Sequence, residues 1–192
     1  MKERIAKAIN IITVPPIIAA LAVTWILLKD KSYFDNILAW YFLVLVFLTV
    51  VPISAYPLSR VIPKIRARGR DGERNLAFIM AILGYIAGTI ASIVFNAPRG
   101  VMYIILSYLA SGLVLLFVNK GIRIKASGHA CGVSGPITLL LYMVGHYAFA
   151  AVILLPIVFW GRLSLKRHTS GELIIGTIVG IFSTGLVLLL YK

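Results

Sequence analysis

The sequence predicts an all-α protein, a polytopic integral membrane bundle of about six to seven transmembrane helices forming a single membrane domain over residues 1–192. Three observations lead there. Of its 192 residues, 60% are hydrophobic and only 13% charged. Mean hydropathy is +0.98. The apolar residues gather into runs long enough to cross roughly 30 Å of hydrocarbon, divided by short segments rich in charge, proline and glycine. No stretch is left for a separate soluble domain.

The N-terminus, MKERIAKAIN, is charged and enters an apolar run with no small-residue cleavage site, which predicts a retained first span near 11–28 rather than a removed signal. Further spans are expected near 37–58, 75–95 and 101–119, and a last one near 172–191. Residues 127–161 form one long apolar tract that would overshoot a bilayer as a single helix, given a rise of about 1.5 Å per residue. It therefore divides into two spans with a tight turn at Gly145 and His146, making seven crossings in all. With that parity, fifteen of the nineteen Lys and Arg residues, all but Lys29, Lys31, Arg99 and Lys192, share one face. The positive-inside rule puts this face in the cytoplasm.

The net charge of +13 points to an anionic partner, either lipid or substrate. Nucleic acid is excluded because the cations sit in short connections and no soluble binding module remains. The single cysteine, Cys131, excludes an internal disulfide. Three scattered histidines and few acids point away from a metal site. No cofactor and no obligatory protein partner are implied.

The chemistry concentrates in three segments. In GRLSLKRHTSGE, Gly161 to Glu172, the last residue is the sole carboxylate side chain of the second half of the chain. It follows His168 by four residues, which on a helix puts both on one face, so Glu172 can accept a proton from the imidazole and fix its tautomer. A histidine so held is prepared to act as base or nucleophile. The structural alternative is a capping box from Thr169 to Glu172, with Arg162, Lys166 and Arg167 as interfacial anchors. The second segment is Lys125-Ala126-Ser127-Gly128-His129. Ser127 is a good N-cap, Gly128 lets a ligand approach the backbone, and the first-turn N–H groups form an anion site beside His129. The third is the loop 61–75, VIPKIRARGRDGERN, the densest cationic run in the chain. Most of its arginines suit a stop-transfer loop, while one or two suit bidentate contact with a phosphate.

Ser127-Gly128-His129, together with Arg162, five residues, His168, three residues and Glu172, resembles the second and third signature blocks of the type 2 phosphatidic acid phosphatase superfamily. The first block of that family is a lysine, six residues, then Arg-Pro, and Arg74 in RDGERN is its best match here. The chain departs from the pattern at Asn75 in place of the proline and at Ala67 in place of the lysine, Lys64 being the nearest. It also departs at Ala126, at Gly161 and in having Glu172 for an aspartate. The likeness covers about residues 64–190.

What the resemblance implies is a metal-independent, membrane-embedded phosphatase acting on a lipid phosphate. His168 would attack phosphorus, Glu172 would orient it, and His129 would protonate the leaving oxygen. Arg162, Arg74, Ser127, the Gly128 amide and Lys64 or Lys125 would hold the phosphoryl oxygens. The rival reading is a transporter or anion-binding membrane protein using the same cations without turnover. His146, on the opposite face, receives no role.

Overall fold

The computed structural model describes residues 1–35 and 37–191, and all regular structure among them is helical. The architecture is carried by α1 (Lys2–Ile12), α2 (Pro15–Lys29), α3 (Leu38–Val61), α4 (Gly69–Val94), α5 (Arg99–Gly121), α6 (Gly128–Met143), α7 (Gly145–Ser164) and α8 (Ser170–Leu190). Among the described residues five helices, α3, α4, α5, α7 and α8, are long and apolar enough to cross a membrane. The α1–α2 pair, bent by 57°, makes a sixth if it counts as one span. The seventh crossing expected from the sequence falls on α6, whose 16 residues rise only about 24 Å, less than a full hydrocarbon core. The protein is a multi-pass helical membrane protein.

Short as it is, α6 is central. Cys131, Val133, Ile137, Leu139 and Leu140 are buried along it, and it packs against α8 and α2. At its end the chain reverses at Gly145, which adopts φ +77°, a conformation that needs no Cβ. A 3₁₀ stretch, Gly145–Ile153, then opens α7. The reversal thus lies at the predicted turn.

Contacts sort the connections into two ends of the bundle. At one end the Tyr33 hydroxyl donates to the Met143 carbonyl at 3.1 Å, and Lys29 lies 3.8 Å over the ring of Tyr147. Tyr103 there meets Tyr142 and Tyr191 edge to face. At the other end stand the segments that the sequence marks for chemistry. Because α6 leads away from that end and α7 returns to it, His129 and Arg162 come together.

Two local features shape that end. Between α1 and α2, Val14 precedes Pro15 and is extended, as a residue before proline tends to be. The break swings α1 against α7, where Gly161 leaves room for Ile9. The second is a correction: most of the expected loop 61–75 is helical. Pro63–Arg66 form a single turn, the chain passes Gly69 at φ +55°, and α4 starts there, six residues earlier than the span read from hydropathy. Charge was the misleading signal. A helix that protrudes from the hydrocarbon carries charges freely in the headgroup layer, and Asp71 suits the positive end of the helix dipole.

Candidate active site

Main-chain contacts hold the two histidine segments in register. Ser127 is fully buried and caps α6, its Oγ accepting from the Ala130 amide at 3.4 Å. Its own amide donates to the carbonyl of Glu172 at 2.9 Å. So close an approach needs glycine on α8: a Cβ at Gly176 would collide with the Ser127 carbonyl, and one at Gly180 with Ser134 Oγ. Four residues apart, the two glycines share one face of α8, the small-residue spacing that lets membrane helices touch backbone to backbone. Asn119 Oδ1 accepts from the Ala126 amide at 2.9 Å and fixes the approach to Ser127.

His168 is buried, and its Nδ1 lies 2.5 Å from Glu172 Oε2. Lys125 Nζ is 3.0 Å from the other carboxylate oxygen. Glu172 also completes the capping box with Thr169, accepting from the Thr169 amide and donating its own amide to Thr169 Oγ1. The structural and chemical readings of this motif therefore coexist. Burial, with Arg162 nearby, lowers the pKa of His168 below the ordinary imidazole value against the opposing pull of the Glu172 hydrogen bond. The ring is neutral near pH 7, Nδ1–H donates to Glu172, and Nε2 keeps its lone pair.

Arg162 is only 6% exposed. One terminal nitrogen donates to Asn10 Oδ1, the other to His129 Nδ1 at 2.9 Å, and Nε is buried without a partner. A guanidinium only donates, so His129 Nδ1 accepts and the neutral ring carries its proton on Nε2, which is likewise buried and unpartnered. Among the described residues no carboxylate pairs with Arg162. Its charged neighbours Arg167, Arg74 and Arg70 are all cations. A buried guanidinium without a counter-charge is costly, and the partner that fits is an anion.

These groups face a cavity of about 980 Å³ opening at this end of the bundle. Gly128, His129, Arg162, His168, Arg74 and Lys125 all line it. A smaller groove of about 310 Å³ is bordered by His168, Lys125 and Glu172. Arg74, on the second turn of α4, is half exposed and stands 3.7 Å from Asp71. Two residues of the expected phosphate set lie elsewhere: the Ser127 hydroxyl is committed to its cap, and Lys64, on the Pro63–Arg66 turn, is not in the lining. His146 is at the opposite end, against Tyr147.

The structure adds Asn10, Arg70 and Arg167, none of which the sequence reading singled out for the site, Arg167 being read only as an interfacial anchor and Arg70 only as part of the cationic loop. Only the bend between α1 and α2 brings Asn10 within reach, and no local pattern marks it. Arg70 follows once α4 is seen to begin at Gly69. Arg167 lay next to a chosen histidine.

Fold and site together define a multi-pass helical membrane protein with a cationic, histidine-bearing cavity at one end of its bundle. No protein-family model, no curated protein and no solved structure matches the chain.

Proposed function

We propose that the protein is an integral-membrane, metal-independent lipid phosphate phosphatase working through a phosphohistidine. The observation that carries this reading is the buried Arg162, paired with no carboxylate among the described residues, hydrogen-bonded to His129 and within electrostatic reach of His168, which Glu172 holds. His168 Nε2 attacks phosphorus, forming the N–P bond as the P–O bond to the lipid breaks. His129 gives the proton that the leaving oxygen needs. In the structure Arg162 occupies His129 Nδ1; once the guanidinium turns to phosphoryl oxygens, Nδ1 is free to take a proton and Nε2 to give one. A water then gives its proton to His129 and attacks phosphorus, the N–P bond breaks, and phosphate leaves with His168 neutral again. Arg162, Arg74 and Lys125, with the N–H groups opening α6, neutralise the phosphoryl oxygens as charge shifts.

The substrate class follows from the setting, since the cavity opens among apolar helices and suits a phosphate carried on a lipid. The test is phosphate release from a panel of lipid phosphates by the purified protein in excess chelator, with quenching in alkaline denaturant to trap phosphohistidine, which survives base and is lost in acid. Release with a trapped phosphoenzyme is the expected result. Binding of every lipid phosphate without release would favour the anion-binding or transport reading instead.

A further inference from the structure

The cavity extends well beyond the histidines. Its inner end is lined by Ser107, Tyr108 and Ser111 of α5, with Tyr85 of α4, Gly135 of α6 and Thr184 of α8. The hydroxyls of Ser107, Tyr108 and Ser111 are all buried without a hydrogen-bond partner, and Ser107 and Tyr108 are only 3% and 6% exposed. The Tyr108 ring is held edge to face against Tyr85, with centroids 5.6 Å apart. Gly135 keeps the space between helices open: a Cβ there would stand 3.2 Å from Thr184 Oγ1 and 3.6 Å from Ser111 Oγ. Unpartnered serines alone mean little in this bundle, since Ser92 and Ser183 are also unpartnered and lie away from the cavity. What sets this cluster apart is that three residues with such hydroxyls, on successive turns of one helix, line one cavity.

Depth decides what they can meet. Asn119 marks the level of the histidine segments through its bond to Ala126. Ser111 and Ser107 lie eight and twelve residues further along α5, roughly 12 and 18 Å inward at 1.5 Å per residue. An all-hydrocarbon tail offers no acceptor at that depth and leaves the hydroxyls unsatisfied, whereas a tail bearing oxygen satisfies them. We propose that the inner end of the cavity is a second binding subsite, in which Ser107, Tyr108 and Ser111 recognise a hydroxyl or ester oxygen carried mid-tail by the lipid. The position of phosphorus at the histidines rests on the phosphatase reading above.

The test uses the purified full chain and three phosphomonoesters: hexadecyl phosphate, the same lipid with a mid-chain hydroxyl, and the same lipid with the hydroxyl next to the phosphate ester. Phosphate release and the thermal shift on binding are measured for each. The mid-chain hydroxyl is expected to lower KM about tenfold against the other two and to give the largest shift. Tyr108→Phe, which removes one oxygen, and the triple variant Ser107→Ala, Tyr108→Phe, Ser111→Ala are expected to bring the ratio toward one. Equal values for the three lipids, or preference for the hydroxyl beside the phosphate, overturn the subsite. If no lipid releases phosphate, the phosphatase reading fails, and the thermal shifts alone then decide the subsite: a mid-chain preference lost in Tyr108→Phe upholds it, and its absence overturns it.

Discussion

His168 and Glu172 meet at 2.5 Å across one turn at the start of α8, and the same carboxylate also closes that helix's capping box. Glutamine at 172 preserves the cap, because an amide oxygen serves it as well, but loses the charge that stabilises an imidazolium. Glu172→Gln is therefore expected to insert normally and to lose roughly 10²- to 10⁴-fold in kcat. His168→Ala is expected to abolish both turnover and the trapped phosphoenzyme. Full phosphate release by His168→Ala would sink the assignment of the nucleophile.

The pH dependence has a definite sign. In the proposed mechanism His168 attacks only when Nε2 is unprotonated, and its pKa in the folded protein is lowered. The acid limb of kcat/KM is thus expected below the ordinary imidazole value of about 6.5, with the rate rising through the limb as pH increases. The Glu172 hydrogen bond opposes the lowering, so Glu172→Gln moves the limb further down. Linkage works in the same direction on stability. As pH falls through the ordinary value, the unfolded chain takes up a proton at His168 before the folded one, so His168 destabilises the fold under acid conditions. A limb above pH 7 in the parent protein would contradict the burial of this ring.

Packing at Gly176 is tested by adding one carbon. Gly176→Ala drives a Cβ onto the Ser127 carbonyl and is expected to cost about 1–3 kcal/mol in thermal unfolding. It should also lower kcat, because it parts Ser127 from Glu172. Gly185→Ala, on the same helix with nothing within 4 Å, is the control and should leave both unchanged. Equal effects of the two substitutions would mean that the α6–α8 approach does not register the site.

Much of this site was legible because it is built from local spacing. The four-residue interval from His168 to Glu172, the Ser127 cap and the reversal at Gly145 each follow from helix geometry applied to neighbours in sequence. The Gly176–Gly180 interval was equally readable but is silent until its partner helix is known. Asn10 reaches Arg162 across 152 positions, through a bend whose direction the prolines do not specify. The first turns of α4 were misread because hydropathy marks where a helix enters hydrocarbon, not where it begins.

Topology is open to direct measurement. Lys166→Cys and Arg123→Cys at the site end should be labelled from one side of sealed vesicles and Tyr147→Cys from the other, in a Cys131→Ala background because the native thiol, though buried, lines the cavity. Given the excess of cations around the site, we expect that side to be the cytoplasm. A reporter fused after Lys192 should then face outside, since Tyr191 packs with Tyr103 at the opposite end. Labelling of residues 166 and 147 from the same side would break the α7 crossing and with it the two-ended arrangement.

The two halves of this cavity are held in place by different kinds of force. A main-chain bond ties Ser127 to Glu172 and ignores side-chain identity, whereas a larger residue at 176 must be matched by a change on α6. The two histidine segments are therefore positioned as one unit. Arg70 and Arg74 ride on a helix tip and act on Arg162 through their charge, a force that tolerates a shift of a residue or a turn. Ala67 and Asn75, where the chain departs most from the phosphatase pattern, fall in this freer segment. A shift at the tip of α4 thus moves cations without disturbing the histidine pair, whereas a shift between α6 and α8 moves the pair itself.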